Sequence, residues 1–134
     1  MACFNPMNGL AGEKVIEAIR GAESALVLAH VSPDPDAVGS AGALTIALRE
    51  NGRDADLYFF DPVPKNFSTL LGDLSVLSEV PTRQYDLLIV LDTATKRRAG
   101  NAIEQLQQIT SITLNIDHHT SNELWGHLNY VDGG

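Results

Sequence analysis

The sequence has little of what builds disulfide frameworks or membrane spans. Its 134 residues include one cysteine, Cys3, so no disulfide can form within the chain, which favours a reducing cytoplasm as the location. No apolar run approaches the roughly 20 residues that a membrane helix needs, and the N-terminus lacks the basic and apolar segments of a signal peptide. We therefore predict a cytoplasmic protein with no membrane partner.

Basic residues are also scarce. Nine Lys and Arg stand against seventeen Asp and Glu, which gives a net charge of −8. A chain this acidic is a poor general binder of long nucleic acids, because such binding needs clustered Lys and Arg. The acidic excess either serves solubility or includes carboxylates that hold cations, and composition alone leaves both interpretations open.

Helical and strand patterns alternate along the chain, with no internal repeat. Continuous apolar runs, typical of strands buried on both faces, occupy residues 24–30, 85–92 and 111–117, and further strands are predicted at 56–60 and 127–131. Helices are predicted at 12–21, 37–51, 64–71 and 101–108. The alternation predicts an α/β fold with an open, mainly parallel sheet and helices on both faces. The length suits a single domain.

Three of the predicted strands end in side chains that can bind metals. His30 ends the first strand, Asp92 ends the 85–92 run, and Asp117 ends the 111–117 run with His118 and His119 directly after it. In open α/β sheets, ligands bind outside the carboxyl ends of the strands. We therefore expect these side chains to form one site.

The first motif is "HVSPDPDAVGS", in which Asp34 and Asp36 lie two residues apart in a proline-rich turn after His30. Two such carboxylates repel each other unless one or two divalent cations offset their charge. An alternative is that Asp36 only caps the helix that follows. Gly39 and Ser40 leave room and donors for a phosphate at that helix N-terminus.

The second motif is "VLDTATKRRAG". Asp92 is either a metal ligand or an ordinary strand-end residue that is hydrogen-bonded to a loop. Arg98 could bind phosphate oxygens through two hydrogen bonds, although the run Lys96–Arg98 could also be simply solvated. The sequence at this point leaves both pairs of alternatives open.

The third motif is "DHH" itself, Asp117 to His119. Imidazole and carboxylate ligands together suit Mn, Fe or Zn, and an excess of carboxylates with no cysteine favours Mn or Mg. The alternative is one surface histidine beside one buried histidine with a satisfied ring. His127 belongs to no motif, and we predict that it is structural or at the surface.

Together these motifs resemble the DHH phosphoesterase family, which includes RecJ-type exonucleases, family II inorganic pyrophosphatases and bacterial enzymes that degrade small RNAs and hydrolyse pAp. "HVSPDPDAVGS" matches the family's H-x3-D-x-D motif, "VLDTATKRRAG" its single-aspartate motif, and "NIDHHTSN" the motif that names it. The tail "GHLNYVD" is similar to the oligoribonuclease and pAp-phosphatase branch. The resemblance covers roughly residues 22–132, nearly the whole chain.

The resemblance implies two Mn²⁺ ions that share one bridging carboxylate, with Mg²⁺ or Co²⁺ as other candidates. It places the first ion on His30, Asp34 and Asp92. It places the second ion on Asp36, Asp92 and His118. A hydroxide between two such ions would attack the phosphorus in line.

The resemblance also implies the roles of the remaining site residues. His119 would face the substrate phosphate, and Asp117 would orient the histidines from behind. With Arg98, these two residues complete the set that we predict to be catalytic. The substrate would be a short oligonucleotide or a nucleotide phosphate such as pAp, cleaved as by a phosphatase or a 3′–5′ exonuclease.

Two features of the family have no counterpart here: a further aspartate beyond the DHH motif and a C-terminal domain that binds substrate. We therefore expect residues 1–134 to be a single catalytic domain, truncated relative to the family. The face that would meet the missing parts should then expose apolar surface, and such a surface would favour a homodimer. Inorganic pyrophosphatase is an alternative activity, and a catalytically silent half that binds metal or nucleotide is another.

Overall fold

The computed structural model describes residues 6–134, with side chains from residue 10 onward. Four α-helices lie in this range: α1 Pro6–Gly21, α2 Pro35–Glu50, α3 Lys65–Ser68 and α4 Ile103–Gln108. Five β-strands accompany them: β1 Ser24–Ala29, β2 Asp54–Tyr58, β3 Tyr85–Leu91, β4 Thr110–Asp117 and β5 Leu128–Val131. Short 3₁₀ turns occupy Thr69–Leu71 and Lys96–Ala99. None of the described helices is long and apolar enough to cross a membrane.

The five strands form one parallel sheet in the order β2-β1-β3-β4-β5. Each strand except β5 is followed by a crossover that returns the chain to the same end of the sheet, as parallel pairing requires. The three strands that carry the motifs, β1, β3 and β4, are direct neighbours. Their carboxyl ends therefore meet at one edge of the sheet, as the motif spacing predicts.

Alternate residues of the central strands face two separate apolar layers, because side chains in a strand point to opposite faces. Val27 and Ile89 belong to the layer that contains α1 and α2 residues, whereas Leu28 and Val90 face the layer of α4. All four are fully buried. The predicted α/β sheet with helices on both faces is confirmed.

The start of α2 is fixed by its local sequence. Asp34 is the N-cap and accepts a hydrogen bond from the Ala37 amide at 2.8 Å, and Pro35 occupies the first helical position. This is a favourable combination, because the cap satisfies a free amide and proline has none to lose. The alternative assignment of Asp36 as the cap is wrong, because the helix begins two residues earlier than predicted.

Other element boundaries shift by one to six residues from the predicted ones. β2 spans 54–58 rather than 56–60, and α4 begins at 103 rather than 101. Helix α1 begins at Pro6, six residues before its predicted start. The prediction missed this part because the irregular composition before Gly12 does not indicate a helix. The predicted helix at 64–71 is a short α-helix followed by a 3₁₀ turn.

Large apolar side chains are exposed at several places among the described residues. Leu10 is 58% and Leu124 61% exposed, and both line a groove of about 310 Å³ that Leu128 also borders. Exposed apolar surface of this kind can take part in association. The structure contains one chain, and the homodimer remains a prediction.

Candidate metal centre

Asp92 lies at the centre of the clustered motifs. Its side chain is 7% exposed, and its two oxygens face different histidines: Oδ1 is 2.8 Å from His118 Nε2, and Oδ2 is 3.4 Å from His30 Nε2. Its backbone has φ +55°, a left-handed conformation that aspartate adopts more readily than most residues. One buried carboxylate thus connects the end of β1 with the loop after β4.

The first group of potential ligands consists of His30, Asp34 and Asp92, which each offer one donor atom within 4.8 Å of the others. The Nδ1 of His30 lies 2.6 Å from the Val31 carbonyl, which can only accept, so Nδ1 carries the proton. Nε2 then carries no hydrogen and can offer its lone pair to a metal ion. It lies 3.6 Å from Asp34 Oδ1. Asp34 is therefore both the helix cap and a member of this group.

A second group surrounds the other oxygen of Asp92. It consists of Asp92, Asp117, His118 and His119, again with one donor atom of each within 4.8 Å of the rest. Asp36 also reaches this side, with Oδ2 3.2 Å from His118 Nε2. The hydrogen bond to Asp92 raises the pKa of the His118 imidazole above its usual value.

His119 turns away from the shared carboxylate and towards Asp117. Its Nδ1 lies 2.6 Å from Asp117 Oδ1 and 3.7 Å from Asp92 Oδ1. Burial acts to raise the pKa of Asp117, but hydrogen bonds from Asn122 and His119 outweigh it and lower the pKa below the usual value. Asp117 is therefore an ionised acceptor for its neighbours.

Two asparagines support this arrangement, and sequence reasoning missed their role. Asn115 is fully buried in β4 and donates from Nδ2 to the carbonyls of Val90 and Thr93. Asn122 donates from Nδ2 to Asn115 Oδ1 and to Asp117 Oδ2, both at 2.8 Å. The sequence contains one signal of this role. Asn115 lies in a largely apolar strand, and a buried side-chain amide needs hydrogen-bond partners.

Backbone conformations of high energy accompany the site. Of the three described non-glycine residues with positive φ, Ser32 lies in the first motif and Asp92 in the second. Ser32 has φ +50°, and its amide donates to Asp61 at 2.6 Å. Such conformations persist only where surrounding contacts hold them, and they concentrate at functional sites.

Arg98 lies outside the cluster. Its backbone carbonyl accepts a hydrogen bond from the Val31 amide at 2.8 Å, which ties the second motif to the first. Its side chain lines a separate cavity of about 640 Å³, together with Arg97, Thr95 and Glu123. The structure therefore brings the other seven predicted site residues together and places Arg98 beside them.

A cavity of about 250 Å³ opens onto the second group of ligands, and Asp36, Asp92 and His118 line it. Ser40 also borders this cavity, with its hydroxyl donating to the Asp36 carbonyl at 2.6 Å. Asp132 lies on the same wall, although we did not predict it as a site residue. His127 lies elsewhere: its Nδ1 accepts the Thr113 amide, which confirms a structural role.

The donor set fits divalent metal ions. Each of the two groups combines imidazole nitrogens with carboxylate oxygens, which is a ligand mixture that suits Mn, Fe and Zn. Asp92 belongs to both groups and offers a different oxygen to each. The described side chains can therefore hold a metal on either side of one buried carboxylate.

Comparison with known proteins agrees with this geometry. Residues 24–132 match the model of the DHH family, N-terminal domain. The chain is 31% identical over 121 residues to the bifunctional oligoribonuclease and PAP phosphatase NrnA of Bacillus subtilis, covering 89% of this chain. It is 31% identical over 122 residues to the protein of the same name from Thermus thermophilus, covering 88% of this chain.

The chain spans 36% and 35% of the length of these two relatives. Among solved structures, an exopolyphosphatase-related protein from Bacteroides fragilis has a similar fold, with a TM-score of 0.71 at 16% identity. The similarity covers 93% of this chain and 39% of that one. The family match extends over nearly the whole chain and includes all three motifs, so this chain belongs to the DHH family of phosphoesterases.

Proposed function

We propose that the chain is the metal-dependent catalytic domain of a phosphoesterase that acts on short nucleotide phosphates. The preferred substrates would be pAp and oligonucleotides of a few nucleotides. The domain would bind two metal ions, with Mn²⁺ preferred and Mg²⁺ or Co²⁺ as substitutes. The relatives named as oligoribonucleases and PAP phosphatases support this choice of substrate.

The observation that carries the proposal is the position of Asp92. One buried carboxylate directs its two oxygens to two imidazoles, 2.8 and 3.4 Å away, and further carboxylates stand on either side. A residue with only a structural role at a strand end would not need two histidines and two more acids around it. The same arrangement is what a bridging ligand between two metals requires.

The chain's own residues divide the work of holding metal and substrate. His30 and Asp34 would hold one metal with Asp92, and Asp36 and His118 would hold the other. Bound in this way, two divalent ions supply a nucleophile at neutral pH and neutralise charge that develops on the phosphate.

The residues beside the metals would act on the substrate. His119 would face the substrate phosphate, and Asp117 would hold that ring in place from the other side. Arg98, on the neighbouring turn, would bind a phosphate oxygen from the adjacent cavity.

Hydrolysis assays test this proposal. The chain would be incubated with Mn²⁺ and, separately, with pAp, a labelled dinucleotide and inorganic pyrophosphate. We expect turnover of the first two substrates, little turnover of pyrophosphate and none without metal. Asp73→Asn is a matched control, because this exposed carboxylate lies outside the site. Mn²⁺ binding without turnover of any substrate would contradict catalysis by this chain and would leave a metal-binding half-domain.

Metal binding should weaken as the pH falls below neutrality. Protons and metals compete for an imidazole nitrogen, and Asp92 raises the pKa of His118 above the ordinary value of 6.5. The competition should therefore begin at a higher pH than for an ordinary histidine. The free Mn²⁺ signal in electron paramagnetic resonance, recorded from pH 6 to 8.5, measures the affinity. His118→Asn should bind more weakly and with a shallower pH dependence, whereas an equal slope in both proteins would contradict the prediction.

A further inference from the structure

A chain of hydrogen bonds leads from the backbone of β3 to the ring of His119. It begins at Asn115, whose side chain donates to the Val90 and Thr93 carbonyls at 3.1 Å each. Carbonyl oxygens only accept hydrogen bonds, so these two contacts fix which end of the Asn115 amide is nitrogen. Its oxygen must then point the other way, towards Asn122.

Asn122 is oriented by the same logic. Its Nδ2 lies 2.8 Å from Asn115 Oδ1, which is an acceptor, and its Oδ1 accepts the Leu124 amide at 2.6 Å. Both contacts require the same orientation of the Asn122 side chain. The remaining hydrogen on Nδ2 is therefore available for Asp117 Oδ2, which lies 2.8 Å away.

The hydrogen bond from Asn122 also determines which oxygen of Asp117 faces His119. The Asp117 carboxylate is 0% exposed, so it cannot turn to water for partners. With Oδ2 bound to Asn122, the other oxygen faces His119 Nδ1 at 2.6 Å and can only accept from it. His119 must then carry its proton on Nδ1 and present Nε2 on the opposite side of the ring.

We propose that Asn122 is a positioning residue that fixes both the tautomer and the orientation of His119 through Asp117. The catalytic consequence rests on the proposed function, whereas the structural one does not. Asp92 Oδ1 lies 3.7 Å from the same His119 nitrogen and is a competing acceptor. Without Asn122 the Asp117 carboxylate loses one of its hydrogen-bond donors, and the ring of His119 can move towards Asp92 or exchange its proton between the two nitrogens.

The tautomer of His119 can be measured directly in the metal-free protein. With ¹⁵N-labelled histidine at pH 8, long-range proton–nitrogen spectra distinguish the Nδ1–H from the Nε2–H form, and His119→Gln assigns the signal. We expect wild-type His119 to be in the Nδ1–H form. Asn122→Asp and Asn122→Ala should both populate the Nε2–H form.

The two variants separate positioning from simple loss of structure. Asn122→Asp keeps the shape of the side chain and the acceptor for the Leu124 amide, but its ionised form has no hydrogen to donate to Asp117. Asn122→Ala removes the donor outright and cannot share a proton with Asp117. Asn51→Ala is the control, because the Asn51 side chain donates to the Ala47 carbonyl at the exposed C-terminal end of α2. A His119 tautomer that stays in the Nδ1–H form in a folded Asn122→Ala protein would overturn the proposal.

Kinetics give a second readout if the domain turns over pAp. Changing a residue that orients a ligand from behind typically costs about 10- to 100-fold, so we expect Asn122→Asp to lower kcat by that factor. KM and the Mn²⁺ dissociation constant should stay unchanged, because the Asn122 side chain hydrogen-bonds neither to the substrate nor to the residues proposed to hold the metals, which are His30, Asp34, Asp36, Asp92 and His118. A wild-type domain without turnover would defeat the proposed function, and the tautomer measurement would still decide the role of Asn122.

Discussion

Replacing Asp92 with asparagine is expected to lower Mn²⁺-dependent hydrolysis by about 10³-fold or more. Two bound metals supply several kcal/mol of transition-state stabilisation, and each 1.36 kcal/mol is a factor of ten in rate. Asp92 is the residue that both groups of ligands share. An amide in its place removes the negative charge and leaves one weak oxygen donor where two strong ones stood.

Asparagine is the informative substitution because it keeps the fold. It is nearly the same shape as aspartate and also tolerates the left-handed backbone conformation, φ +55°, that this position requires. At pH 8 the metal-free variant should be at least as stable as the wild type, because a buried charge without its metal is unfavourable. Asp92→Ala lacks both advantages and would mix backbone strain with the loss of metal.

Thermal denaturation with and without Mn²⁺ distinguishes the possible outcomes. Mn²⁺ should raise the Tm of the wild type and of Asp73→Asn, because a ligand that binds only the folded state stabilises it. It should leave the Tm of Asp92→Asn almost unchanged. A variant that is stabilised by Mn²⁺ as strongly as the wild type would contradict the shared-ligand role of Asp92.

The second large effect is expected for Gly100→Ala, which should destabilise the protein by about 2–4 kcal/mol. Gly100 has φ +112°, a conformation that side chains strongly disfavour. A Cβ there would also lie 2.1 Å from Cδ2 of Phe60, whose ring packs edge-to-face against Tyr58 at 5.1 Å. The ring cannot move aside without losing that contact.

The position of Gly100 connects this instability to the site. It ends the 3₁₀ turn Lys96–Ala99, and that turn carries the Arg98 carbonyl to which the Val31 amide is bound. We expect a lower denaturant midpoint and a lower Mn²⁺ affinity. Gly21→Ala is the matched control, because nothing lies within 4 Å of a Cβ added at this exposed last residue of α1. Its stability should stay within about 0.5 kcal/mol of the wild type.

A double-mutant cycle with Phe60→Ala separates the two causes. If the clash with the ring contributes, the double mutant should lose less stability than the sum of the losses in the two single mutants, because removing the Phe60 ring relieves the clash. The part that Phe60→Ala does not relieve measures the backbone strain at positive φ. Additive losses would show that the ring plays no part.

The fold class and the location of the candidate site follow from the sequence alone. Buried apolar runs separated by helical patterns predict a parallel sheet, and the carboxyl ends of its strands lie at one edge. Residues with metal-ligand chemistry at the ends of three runs were therefore expected at that edge. This much follows from local patterns, because hydrophobic periodicity is a property of short segments.

How these residues are arranged around Asp92 depends on the packing of the strands. The order β2-β1-β3-β4-β5 makes the three motif-bearing strands neighbours, and it sets which oxygen of Asp92 faces which histidine. It also assigned the helix cap to Asp34 and placed the Arg98 side chain in a separate cavity. The hydrogen bonds of Asn115 with Val90 and Thr93 join residues more than 20 positions apart. Contacts over such separations depend on how the strands pack, and no periodicity in the sequence records them.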